Sequence, residues 1–252
     1  MIVISPAKNL NTNLESLDHK TSTPTLKLKT NKLIKILKEL NLIEVKSLMK
    51  VSDSLANLNF KRIEEFDKNQ NLYKPAAFLF SGDTFNGLSI RSFDNNLLNN
   101  AQKTLRILSG LYGVLKPLDL IQPYRLEMGS KINFKLGCTL PQYWTNEVTD
   151  SLNEDIKKTK SNFLYNLSSL EYFSSINSKK ILAEIINFDL KKLKNHNLVN
   201  IGMAIKKLRG SMARFIISKN ITKINELKDF KDDSFKFDSF DKSTKTMLFV
   251  KK

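Results

Sequence analysis

The chain has 252 residues, 41% of them hydrophobic and 16 of them Phe, and carries 41 Lys+Arg against 25 Asp+Glu for a formal charge of +16. Its length predicts one large domain or two intimately packed halves, with ample apolar content for a core. A single cysteine, Cys138, excludes an intramolecular disulfide framework, and two distant histidines, His19 and His196, exclude a His/Cys metal cluster, so no metal site and no cofactor are expected.

Met1–Ile4 is a short apolar run ended by Ser5-Pro6 and reads as a buried strand, with Ser5–Lys8 at its carboxyl end, where open α/β sheets place ligand contacts. The start lacks a basic region and a long apolar stretch, so it does not read as a signal peptide. No apolar run approaches the roughly 20 residues that span a bilayer, and a soluble cytoplasmic protein is expected. Residues 9–24 read as a polar loop. Helical spacing is present over Leu26–Leu40, Ile43–Lys50, and from Ser54 or Asn59 to Phe66. The last two form a helix pair. Leu55-Ala56-Asn57-Leu58-Asn59 fits the hairpin frame of a helix-hairpin-helix element over about 43–66, with Asn57 and Asn59 where glycines usually stand. In that reading backbone amides hold a DNA phosphate, and Lys50, Ser52, Lys61 and Arg62 flank the contact; the alternative is an ordinary αα-hairpin.

Ala76–Phe80 reads as a buried strand followed by a Ser81-Gly82-Asp83 loop. Asp94–Gln102 reads as a helix and Leu105–Leu108 as a strand. Ser109–Gly129 holds three of the eight glycines and two of the six prolines, together with Tyr112, Tyr124, Arg125 and Glu127. Such a stretch is a shaped loop system and not a spacer. A short Phe134 segment, Pro141-Gln142-Tyr143-Trp144, a helix to about Lys158, a strand Phe163–Leu167 and a short helix opened by Ser168-Ser169 follow. Ile181–Phe188 and Leu198–Ile205 read as strands joined by a Lys191–Asn197 turn. Lys206, Lys207, Arg209 and Arg214 open a helix to about Ser218, Thr222–Phe230 is a short helix, and Met247–Val250 a closing strand. The sum is a mixed α/β (α+β) domain over 1–252, a mostly β core flanked by helices.

A basic excess of this size points to a polyanionic partner, most simply nucleic acid, or else to a lysine-rich solvated surface. Only six of the 41 basic residues are Arg, leaving 35 Lys, so the arginines are candidates for bidentate recognition that Lys cannot supply. No nucleotide-binding glycine loop and no nucleophile-elbow pattern is present. If the strand-end motifs share one edge, they converge on a strongly basic cleft holding Lys8, Arg125 and the 206–214 cations. Asp83, Glu127 and Glu171 would then orient the cations or act as acid/base groups.

Ile4–Lys8, the Ser109–Gly129 block, Asn166-Leu167-Ser168-Ser169, Glu171-Tyr172-Phe173 and the Arg209–Phe215 segment resemble the YaaA (UPF0246, DUF328) family of bacterial peroxide-stress proteins, from Met1 to about Val250. The resemblance implies a cytoplasmic protein that protects during hydrogen peroxide stress by limiting available iron. It also implies a family-specific α/β fold whose basic cleft and helix-hairpin-helix bind double-stranded DNA. Carried over, the hairpin falls on Ser52–Arg62 and the cleft cations on Lys8, Arg125, Lys206, Lys207, Arg209 and Arg214. Asn57 departs from the hairpin glycine, and Leu170 stands where a polar residue is common. No reaction is implied. A monomer that binds DNA without sequence preference is therefore expected. The alternatives are an enzyme on damaged nucleic acid using Lys8, Asp83 or Glu127, and direct iron handling by carboxylates.

Overall fold

β1 (Ile2–Ile4) is the apolar run at the start of the chain, and all three residues are buried. The structure, a computed structural model, describes residues 1–13, 19–69, 72–194, 197–200, 202, 204–232 and 235–251. After β2 (Asn9–Leu10) come α1 (Lys27–Lys38), α2 (Leu42–Met49) and α3 (Asp53–Glu64). The spacing of Leu33, Ile34 and Leu37 makes the buried stripe of α1. Asn41 opens α2 with a capping box to Glu44, and Ser52 caps α3.

β3 (Lys74–Pro75), α4 (Ala76–Leu79), β4 (Phe80–Ser81), α5 (Asp83–Leu88) and α6 (Asn95–Thr104) follow. Two expectations are corrected here. Ala76–Phe80 is one helical turn and a two-residue strand, anchored where the Ala76 and Ala77 amides donate to the Asp119 and Pro117 carbonyls at 2.9 Å each. All four α4 residues are buried, so an apolar run could not distinguish strand from helix. Of the expected Ser81-Gly82-Asp83 loop, Ser81 ends β4 and Asp83 opens helix α5.

The central segment contains β5 (Leu105–Ser109), β6 (Gly113–Leu115) and β7 (Leu120–Ile121). Then come α7 (Asn133–Leu136), α8 (Leu140–Thr159), β8 (Phe163–Leu167), α9 (Leu170–Phe173), β9 (Glu184–Lys194), β10 (Asn197–Asn200) and α10 (Ala204–Ser218). The strand expected over Leu198–Ile205 stops at Asn200, and Ala204 and Ile205 already belong to α10. Residues 195, 196, 201 and 203, within the expected turn and strand and including His196, lie outside the described residues. β11 (Lys231–Asp232), β12 (Phe235–Asp241) and β13 (Thr246–Lys251) end the order.

Nine strands form one sheet in the order β11-β12-β13-β9-β8-β1-β5-β6, with β10 on β9. Its centre is parallel: β1 pairs with β5 on one side and β8 on the other, β9 follows β8, and β13 follows β9. The outer pairings, β6 on β5 and β12 on β13, are antiparallel. The expected α/β domain is thus a large mixed sheet flanked by helices, with α10 packed near β1 and β8 and α8 near β6. The chain leaves β1 toward β5 but leaves β8 toward β9, so a topological switch lies between β1 and β8. Open α/β sheets leave a crevice at the carboxyl ends of such strands.

Candidate nucleic-acid interface

That crevice is a cleft of about 470 Å³. Ser5, just past β1, and Ser169, just past β8, close its base: the Ser169 amide donates to Ser5 Oγ at 2.9 Å. Ser169 Oγ in turn accepts from the Tyr172 amide at 3.4 Å and starts α9. Glu171 lies beyond it, and its Oε1 accepts from the Gly129 amide at 2.7 Å, tying α9 to the central segment.

The central segment supplies the second wall. A Cβ on Gly110 would stand 2.3 Å from the Leu126 carbonyl oxygen, so only glycine lets 124–129 lie across the 109–113 turn. Ser109 Oγ and Tyr124 Oη are 2.6 Å apart, and Ser109 Oγ also accepts from the Tyr112 amide at 2.9 Å. Arg125 and Glu127 are thereby aimed at the cleft. Glu127 bridges two cations, with Lys8 Nζ at 2.7 Å from Oε2 and Arg125 Nη2 at 3.3 Å from Oε1. Arg125 Nε is buried and has no hydrogen-bond partner among the described residues. Burial pushes the Tyr124 and Tyr172 hydroxyls above their ordinary range, and nearby Tyr124, Glu171 and Glu127 raise Tyr172 further, so both rings are neutral hydrogen-bonding groups.

α5 and α10 form the third wall, backbone against backbone. A Cβ on Gly210 would fall 1.8 Å from the Thr84 carbonyl oxygen, and one on Gly87 would fall 2.0 Å from that of Lys207. This approach brings Asp83 from α5 and Lys206 and Arg209 from α10 into the cleft lining. Burial acts against the Arg209 charge while the Asp189 carboxylate on β9 supports it.

Six expected residues therefore meet in one place: Lys8, Asp83, Arg125, Glu127, Lys206 and Arg209. The lining is not strongly basic, because four cations face the three carboxylates Asp83, Glu127 and Glu171, a balance of +1. Lys8, 58% exposed at its side chain, is held in an ion pair with Glu127. Lys207 is exposed on α10 outside the lining. Arg214 is also outside it: Nη1 donates to Ser92 Oγ at 2.8 Å and the Ser89 carbonyl at 3.1 Å, with the guanidinium over the Phe93 ring at 5.0 Å. It clamps α10 to the segment after α5, because it faces away from the side that carries Arg209.

The place of the hairpin turn is corrected as well. Leu55–Asn59 lies inside α3, where Asn57 Nδ2 donates to the Asp53 carbonyl at 2.9 Å and buried Asn59 donates to that of Leu55 at 2.8 Å. The left-handed residue is Lys50 (φ 50°), so the turn is Lys50–Ser52. Ser52 is spent as a cap. Asp53 occupies the first turn of α3, paired with Lys46 at 2.6 Å, and puts a carboxylate where a phosphate would dock. Lys50 and Lys61 are exposed; Arg62 is half-buried, its charge opposed by that burial, and donates to Asn59 Oδ1 at 3.3 Å. The pair is thus a helix–turn–helix whose turn is Lys50–Ser52 and not the Leu55–Asn59 frame. Sequence reasoning missed the Ser5–Ser169 link and the Gly87–Gly210 contact; glycines inside helical stretches were the available signal for the second.

Among the described residues no group of three or more His, Cys, Asp or Glu is placed to hold a metal ion, and no helix is long and apolar enough to cross a membrane. Comparison with known proteins matches residues 1–240 to the family described as peroxide stress protein YaaA. A UPF0246 protein of Idiomarina loihiensis is 40% identical over 253 residues, covering 100% of this chain and 98% of the relative. One of Aliivibrio fischeri is 40% identical over 258 residues, with 99% and 97% covered. One of Legionella pneumophila is 37% identical over 254 residues, with 100% and 99% covered.

Proposed function

The chain belongs to the UPF0246 family of YaaA peroxide-stress proteins, and from that premise we propose that it binds double-stranded DNA largely without sequence preference and helps limit the damage linked to intracellular iron. One observation carries the reading. Cations from three remote segments, Lys8 after β1, Arg125 in the central segment, and Lys206 and Arg209 on α10, converge on a single cleft at the sheet switch point. Lys8 and Lys206 are exposed and act as point charges toward phosphate oxygens at the rim. Arg125 and Arg209 are half-buried, and their planar forks suit bidentate contact with phosphate oxygens. The surplus of +16 adds long-range attraction.

This reading moves the DNA contact away from the α2–α3 pair and onto the cleft. Affinity then comes chiefly from counterion release, and its logarithm falls with log salt by about 0.9 per phosphate neutralised. A fluorescence-anisotropy titration of a labelled duplex across salt concentrations tests it. A steep slope, with weaker binding by Arg125→Ala, is the expected result. An affinity unchanged between low and moderate salt would refute the proposal.

A further inference from the structure

The cleft does not have the shape or the charge of a backbone track. Its volume of about 470 Å³ is that of a small-ligand pocket, typically about 300–1,000 Å³. The charge is split rather than uniform. Lys206 and Arg209 suit a phosphate, whereas Asp83 and Glu171 repel one and accept hydrogen bonds from N–H groups. A single nucleotide carries both complements, an anionic phosphate and a base edge with N–H donors. The rings of Tyr124 and Tyr172 in the same lining offer apolar surface against which a base can rest.

Leu170 supplies the second, independent observation. It lies between the lining residues Ser169 and Glu171, yet it is absent from the lining and 87% exposed, the most exposed of the large apolar side chains. An exposed leucine alone means nothing. Beside a polar cleft that holds cations for DNA, it has the chemistry of the apolar wedges that enter a base step and hold it open.

We infer that one nucleotide, unstacked from the duplex, enters the cleft while Leu170 fills the place it leaves. The inference rests on the DNA reading above. Unstacking costs a few kcal/mol and least at a mismatched base, so damaged or mispaired positions are the preferred sites of entry.

The test uses a duplex with 2-aminopurine opposite cytosine, titrated with the full-length protein while anisotropy and 2-aminopurine fluorescence are read on the same samples. The expected result is a rise in anisotropy with a severalfold brightening at saturation. Leu170→Ala and Leu170→Ser, both at an exposed position that folding does not need, should lose the brightening at saturating protein. Anisotropy without brightening, or brightening that survives both Leu170 substitutions, overturns the inference and leaves DNA binding standing. No anisotropy change at low salt removes the DNA reading, and the inference with it.

Discussion

The α2–α3 pair and the cleft both carry lysine, arginine and asparagine in patterns that suggest a phosphate contact, but they are built in opposite ways. The pair is local: caps at Asn41 and Ser52, a left-handed Lys50, and asparagines that bond one turn back along their own helix. Its caps and asparagines are satisfied locally, while Lys50 and Lys61 are exposed. The cleft is assembled from distant segments by backbone approaches that only glycine permits, and Lys206 and Asp83 are exposed in its lining. A polar group whose bonding is complete within its own helix is structural. One delivered to a cavity by costly long-range packing is available for a ligand.

Several substitutions would break or sharpen that contrast. Gly210→Ala should do the most damage, because its Cβ overlaps the Thr84 carbonyl and neither backbone can retreat; a loss of roughly 3 kcal/mol is expected in urea unfolding. A loss under about 1 kcal/mol would mean that the α5–α10 contact is loose and the cleft wall not fixed by it. Arg214→Ala should cost about 1–2 kcal/mol through its lost bonds to Ser92 and Ser89 and its stacking on Phe93. It should leave the salt slope of DNA binding unchanged, and a fall in that slope would return Arg214 to the interface.

The central segment behind the cleft has a pH signature. Burial raises the Asp119 carboxyl, although Ser22 Oγ and the Lys116 amide donate to it and Lys116 and Arg106 lie nearby. With the folded pKa above the unfolded value of about 4, its stabilisation is complete below that value and is lost as pH rises through the folded pKa. Asp119→Asn should flatten that decline in urea midpoints measured upward from about pH 4; an unaltered pH dependence would show that the carboxyl titrates normally. The smallest effect belongs to Asn57→Ala, within about 0.5 kcal/mol for stability and with no change in DNA affinity. A clear loss of affinity would restore the hairpin reading.

What was legible follows from range. β1, β5 and β8 are apolar runs with polar ends, and α8 and α1 show apolar periodicity, so the body of the sheet and its main helices could be read directly. α4 is buried on every side and has no periodicity to show. β12 exposes several residues and shifts register between Phe237 and Ser239, which breaks the alternation that marks a strand. At the site, Lys8, Asp83, Arg125, Glu127 and Arg209 were legible as charges at the ends of apolar runs or beside glycines. Ser5 and Ser169 each stood at a strand-end motif, but the link between them was not legible, since 164 positions separate them and nothing local pairs one with the other. Asn57 and Asn59 misled for the converse reason: a five-residue frame matched a motif while the helical spacing of Ala56, Asn59 and Ile63 ran through it.

The central claim, that DNA engages the cleft rim and not the helix pair, is tested most directly by comparing two double variants. All four side chains are exposed lysines, so neither variant disturbs the core. Salt dependence of duplex affinity would be measured for Lys8→Ala/Lys206→Ala and for Lys50→Ala/Lys61→Ala beside the unaltered protein. The account predicts that the cleft pair lowers the slope of log affinity against log salt by about 2 and the helix pair leaves it unchanged. A slope lowered by the helix-pair variant and untouched by the cleft variant would contradict it.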